Sequence, residues 1–169
     1  MPSPTSSWGQ SNWSDVYAPV GSTPTVPVGS GLQAGQCETL FDGSVVQFLD
    51  FVASTVAGAA CIPATPFTGY TVTPATAALQ IVTAINDRAG GGLGTSNVTI
   101  AANSYAWGTI AGFCYPLCVN ALAAGKYAVA SAISAQLKLQ VVGTDPQSNI
   151  LNLVVVGSSP AQSLCQITY

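Results

Sequence analysis

The sequence predicts an all-β protein, a β-sandwich or small β-barrel preceded by an extended N-terminal arm. Three observations lead there. Leu137, Leu139 and Val141 alternate with Lys138 and Gln140, the period of two of a half-buried strand. Turn-forming residues recur between apolar runs at intervals of about 8–20 residues, the rhythm of a sandwich or barrel. The first stretch carries prolines at a spacing that forbids helix and interrupts sheet ladders.

The arm is residues 1–36 and the β domain is residues 37–169. Pro2, Pro4, Pro19, Pro24 and Pro27 lie in the arm among Ser, Thr and Gly, with Asp15 as its single charge. Such a segment is expected to be extended, much of it near polyproline II. It nevertheless carries Trp8, Trp13 and Tyr17. A solvated linker has little use for two tryptophans, whereas interfaces enrich Trp and Tyr. These three are therefore the candidate anchors of an arm that lies on a partner.

In the β domain, Ser44–Ala53 reads as a strand rich in β-branched and aromatic residues. Ala75–Ile85 is ambiguous. Ala and Leu favour helix, while Ile81, Val82, Thr83 and Ile85 are β-branched and tip its second half towards strand. Val98–Ala101 follows as a strand. Next, Tyr105 and Trp107 share one face of a strand with Gly108 on the other, either as core or as interface aromatics. Tyr127–Ala130, Leu137–Val141, Ile150–Val156 and Leu164–Tyr169 complete the set. The turns between them are Asp42-Gly43, the glycines at 90–92 with Gly94, Ala124-Gly125, and Gly143-Thr144-Asp145-Pro146.

Composition narrows the function. The chain has three basic and six acidic residues, no histidine, and 49% apolar residues. An average chain of this length would carry about 42 charges. Three cations cannot neutralise a run of phosphates, which argues against nucleic-acid binding through a basic face. Without histidine, Ser-His-Asp and Cys-His nucleophiles are excluded and the usual zinc ligand is missing. High hydrophobicity with a net charge of −3 is not the signature of wholesale disorder. No apolar run approaches the ~20 residues of a membrane helix. The best, Phe51 to Ile62, is broken by Ser54, Thr55 and Gly58, and no secretory leader is expected at the N-terminus.

Little reads as chemistry. Cys37, Cys61, Cys114, Cys118 and Cys165 are odd in number, so at least one is unpaired in a monomer, and buried small hydrophobes are the simplest account. Asp42 and Asp145 stand in turns, where Asp caps its own backbone. Asp87 and Arg88 are expected to face solvent in a loop. The glycines at 90–94 lack the Gly-Lys-Ser/Thr of a phosphate loop. Asn12-Trp13-Ser14 and Asn97-Val98-Thr99 match the glycosylation acceptor, which matters only on secretion. No catalytic, cofactor or metal site is predicted.

Residues 81–131 carry a resemblance. Asn86-Asp87 and the glycine turn ending at Gly94 lead to Ser104-Tyr105-Ala106-Trp107-Gly108-Thr109-Ile110-Ala111-Gly112. A hydrophobic strand, Asn120-Ala121-Leu122-Ala123-Ala124-Gly125 and a strand entering Ala130-Ser131 follow. This stretch resembles the tailed-phage head decoration (capsid cement) proteins and related head-fibre bases. The resemblance implies a non-enzymatic virion protein, made in the host cytoplasm, that binds the outer surface of an assembled head. Its partners would be the major capsid protein and neighbouring copies, as a homo-trimer or other homo-oligomer, with neither nucleic acid nor membrane. The composition suits that role, since a low-charge surface avoids desolvation costs at interfaces. A coat, tail-tube or head-fibre subunit shares the composition. An extracellular adhesin or pilus-like subunit would need an export signal and would pair its cysteines. A glycan-active enzyme rests only on scattered carboxylates and aromatics.

Overall fold

A computed structural model describes residues 13, 15–21, 23–26, 30–64, 70–75, 82–89, 98–120, 122–133, 135–142, 144, 153–157 and 164–167, and all statements below concern these. Every regular element among them is a strand: β1 (Val16–Tyr17), β2 (Cys37–Thr39), β3 (Val45–Phe51), β4 (Thr55–Val56), β5 (Ala59–Pro63), β6 (Thr71–Pro74) and β7 (Ala84–Asn86). Then come β8 (Thr99–Ile100), β9 (Ser104–Cys114), β10 (Ala128–Ala130), β11 (Leu137–Leu139), β12 (Leu153–Gly157) and β13 (Leu164–Ile167). The all-β class is as expected, and of the two architectures the barrel is the one that forms.

Five strands close on themselves. β3 pairs β9, β9 pairs β7, β7 pairs β5, β5 pairs β6, and β6 returns to β3. All of these pairings are antiparallel except β3 with β6, which run parallel through Asp50↔Thr71 and Phe51↔Val72. Closure removes the edges that an open sheet would leave exposed. The lumen is filled by Leu49, Phe51, Cys61, Val72, Ala84 and Ala106, with Ile100 of the short β4–β8 pair. The small residues are needed because a five-stranded ring is narrow. Gly108 shows the constraint directly: a Cβ there would meet Leu49 Cδ1 at 2.6 Å.

The outside of the ring is covered on two sides. On one, the β10–β11 hairpin packs Leu137, Ala128 and Ala130 against Ala60, Ile62 and Ile85, together with Cys114, Cys118 and Cys165. On the other, Val46, Phe48 and Trp107 are fully buried beneath Trp13, Tyr17, Val26, Leu32 and Leu40. The described part of the N-terminal 36 residues thus lies on its own barrel. It is hydrogen-bonded there, with β1 laddered on β9 through Val16↔Ala106 and Tyr17↔Tyr105, and Gly35 N–H donating to Phe48 O at 2.8 Å.

β9 is the spine. Its first part runs along β3, and Gly112 to Cys114 run along β13, which carries β12. The register slips between Val45 and Val46, where β9 carries an extra residue, a bulge that bends the strand as it changes partners. Gly112 sits at that bend with φ +83°, and a Cβ on it would lie 2.6 Å from Ser44 Cα. The sequence-read turns at Asp42-Gly43 and Ala124-Gly125 both form, with Gly43 at φ +81° and Gly125 at φ +73°. Residues 76–81 of the ambiguous segment and the glycines at 90–94 lie outside the described residues, while Ala84–Asn86 is strand.

Candidate functional site

The strongest constellation of side chains is the aromatic face where the arm meets the barrel. Strand alternation puts Phe48 of β3 opposite Trp107 of β9, and Asp50 opposite Tyr105. Phe48 is the hub. It stacks on Tyr105 at 5.2 Å, tilts against Trp107 at 5.1 Å, and meets the edge of Tyr17 at 5.6 Å. Offset and edge contacts of this kind contribute about 1 kcal/mol each beyond burial. Trp107 is fully buried, whereas Tyr105, Tyr17 and Trp13 are half-buried. Trp13 is oriented by its indole Nε1, which donates to Glu38 Oε2 at 2.8 Å, while Gln36 Nε2 donates to Glu38 Oε1 at 3.0 Å.

Of the predicted anchors, then, Trp13 and Tyr17 come together with Tyr105 and Trp107 on one face, and Trp8 lies outside the described residues. Carboxylates border this face. Burial pushes the Asp50 carboxyl above its ordinary range. Burial likewise raises the Tyr105 phenol, helped by the charge of Asp50, and the Tyr17 phenol, helped by Asp15. Sequence reasoning missed Glu38, which sits three residues before the Phe41-Asp42-Gly43 turn and 25 residues from the indole it holds.

Asp87 and Arg88 correct the sequence reading. They do not face solvent: the side chain of Asp87 is fully buried and that of Arg88 is 10% exposed. Thr109 Oγ1 donates to Asp87 Oδ1 at 2.7 Å, and Tyr115 N–H donates to Asp87 Oδ2 at 2.9 Å. Arg88 Nε stands 3.5 Å from Asp87 Oδ1 and donates to Thr109 Oγ1 at 3.0 Å, while its Nη2 donates to Phe113 O at 3.0 Å. Ser44 Oγ accepts from Phe113 N–H at 2.9 Å. The network clamps the end of β7 to both sides of the β9 bend. Burial raises the Asp87 pKa against the opposing pull of Arg88, Thr109 and the Tyr115 amide. Asp42 behaves oppositely. Burial works against its charge, but the Ser44 N–H at 2.9 Å and the nearby Arg88 hold its carboxyl below the usual range.

All five cysteines are free thiols, four buried and Cys37 exposed. Cys114 and Cys165 face each other across β9 and β13. No three or more metal-ligating side chains converge among the described residues, and no helix there is long and apolar enough to cross a membrane. What the fold presents is a closed β-barrel domain braced by a buried ion pair, with an aromatic face on one side and a hairpin layer on the other.

Comparison with known proteins gives the fold a counterpart. No family model matches the sequence, and no curated protein matches it either. One solved structure, the head fiber gp8.5 N base in bacteriophage phi29, is similar with a TM-score of 0.50 at 8% identity. The match covers 74% of this chain and 94% of that one. At that identity the likeness is one of fold.

Proposed function

We propose that this chain is a structural protein of a phage virion that attaches to the outer surface of the assembled head, as a decoration protein or as the base of a head fibre. The observation that carries the reading is the fold likeness, which takes in nearly the whole of the phi29 head-fibre base. The composition supports it. A chain with 5% charged residues and 49% apolar ones suits a surface largely covered by protein neighbours. A tethered arm adds affinity through effective concentration, and residues 1–12, which include Trp8, precede the described packing on the barrel.

The test is particle composition followed by rebinding. Purified virions should contain the chain in a stoichiometric copy number, and heads lacking it should take up the purified protein to saturation. Deleting residues 2–12 spares Trp13 and Tyr17 and should weaken that uptake while leaving the far-ultraviolet spectrum unchanged. A chain missing from particles, or one that never saturates on heads, would overturn the reading. A purified chain that forms tubes or shells unaided would assign it instead to a coat or tail-tube role.

A further inference from the structure

Two thiols face each other across the seam that joins the last two strands to the barrel. Among the described strands β12 pairs with β13 alone, and β13 reaches the barrel through β9. That junction is short, consisting of Gly112↔Ile167, Phe113↔Gln166 and Cys114↔Cys165.

The register fixes how the two cysteines meet. Phe113 N–H donates to Ser44 Oγ at 2.9 Å and Phe113 O accepts from Arg88 Nη2 at 3.0 Å, so both main-chain groups of Phe113 point away from β13. Strand alternation then turns those of Cys114 towards β13, which makes Cys114 and Cys165 a hydrogen-bonded pair. Such a pair holds its Cα atoms about 5.5 Å apart, within the commonest range for disulfides, about 5.5–6 Å. Residues opposed in this way project to the same face of the sheet. Both side chains are fully buried in the layer that holds Ala60, Ile62 and Ile85. The Asp87–Arg88 clamp grips Phe113 and Tyr115 on either side of Cys114, so the barrel side of the seam is held in place.

We propose that Cys114 and Cys165 form a redox latch, in which a disulfide closes in an oxidising medium and fastens β12–β13 covalently to the barrel. In a reducing medium the same seam is held by hydrogen bonds and packing alone. The latch is independent of the virion reading, since it concerns this chain in any compartment. Neither thiol is accessible while the strands are packed, and burial keeps both protonated. Closure therefore starts when β12–β13 parts from β9, a local opening of the kind native chains undergo. One cysteine thiolate attacks a small-molecule disulfide such as oxidised glutathione, expelling one glutathione thiolate and leaving a mixed disulfide. As the strands pair again, the register brings the second cysteine onto it. Its thiolate attacks the protein sulfur and expels the second glutathione thiolate. The balance is two cysteine thiols oxidised, one glutathione disulfide reduced to two thiols, and two protons passed from cysteine to glutathione.

The experiment incubates the full chain carrying Cys37→Ser, which removes the exposed thiol, with oxidised glutathione. The product should be lighter by two hydrogens, and peptide mapping should link Cys114 to Cys165. Closing a loop of about 50 residues restricts the unfolded chain, so the thermal midpoint should rise by roughly 5–10 °C and return on reduction. Urea below the unfolding transition should speed closure several-fold, because opening limits it. Cys118 lies in the same layer and is the rival partner. Cys118→Ala should therefore still close, whereas Cys165→Ala should not, with each variant's melting in reducing buffer checking that it folds. A chain that keeps its thiols free in oxidised glutathione with and without urea would overturn the latch. So would a link through Cys118, or a disulfide that fails to raise the midpoint.

Discussion

Asp87 is where a short stretch of sequence is least able to announce its role. Asp-Arg beside a glycine run reads as a solvated loop, yet the two side chains are buried. Their partners, Thr109, Phe113 and Tyr115, lie 21 to 28 residues away. Asp87→Asn keeps an acceptor for Thr109 but leaves the Arg88 guanidinium in a nearly closed site without its counter-charge. Breaking such a pair should cost about 3 kcal/mol, read as a lower denaturant midpoint at constant slope. The pH dependence carries a second signature. Because burial raises the Asp87 pKa, the folded chain holds its proton where the unfolded chain has lost it. This group therefore favours folding below the ordinary carboxylate range, and that contribution is lost as pH rises through the ordinary value towards the raised one. Asp50 adds a slope of the same sign. The Asp87→Asn variant should flatten the fall in stability across that window without abolishing it. The cysteines give a simpler count. Burial pushes the thiols of Cys61 and Cys165 up to about 12 and that of Cys114 well above its ordinary value, and Cys118 is 7% exposed. A thiol reagent should modify Cys37 alone in the native protein and all five cysteines in denaturant. More than one rapid native reaction would contradict this packing.

At the scale of elements, strands with one wet face were legible and strands with two dry faces were not. Leu137–Leu139 stands where alternation placed a strand, Val45–Phe51 lies within the stretch that β-branched and aromatic residues marked, and Tyr105 and Trp107 share the expected face of Ser104–Cys114. Ala59–Pro63 was invisible because its first four residues are all buried: some face the lumen and others the hairpin layer, so no polar residue marks a period. Two-residue strands such as Val16–Tyr17 and Thr55–Val56 are too short for any periodicity. Barrel closure depends on the parallel β3–β6 pair, a non-local pairing that no local pattern reports. The aromatic face was half legible. Trp and Tyr in a Pro-rich arm signalled a contact, but not that the barrel itself would supply one. The bend in β9 offers a controlled test of how this element is held. Gly112 and Gly125 have similar positive φ, but a Cβ at 112 meets Ser44 backbone whereas at 125 it meets nothing within 4 Å. Gly125→Ala should therefore cost only the left-handed backbone term, about 1 kcal/mol. Gly112→Ala must also displace backbone at the clamp and should cost about 3 kcal/mol or more. Equal melting temperatures for the two variants would show that the close approach is not real.

For the molecule as a whole, low charge and a cover of arm residues are two sides of one problem. Nine formal charges cannot keep a barrel of this apolar content solvated by themselves, and the chain hides part of the apolar surface under its own N-terminal segment. Phe48, Val46 and Trp107 are 0% exposed only because Trp13, Tyr17, Val26, Leu32 and Leu40 lie over them. The described residues of the arm from Trp13 onward are part of the fold, and residues 1–12 are the stretch that the proposed function assigns to a partner. Two truncations separate these roles. Removing residues 2–12 touches none of the described contacts, so the thermal midpoint should move by no more than a degree or two, an effect of about 0.5 kcal/mol or less. Removing residues 2–30 strips Trp13, Tyr17 and Val26 from the aromatic face. Baring roughly 150 Å² of apolar area at about 25 cal/mol per Å² costs about 4 kcal/mol, and the lost Trp13–Glu38 hydrogen bond and β1 ladder add to it. Trp107 would then emit at longer wavelength, as a solvent-exposed indole. Should the longer truncation melt with the parent and keep a blue-shifted Trp107, the arm would be a passenger on the barrel rather than its cover.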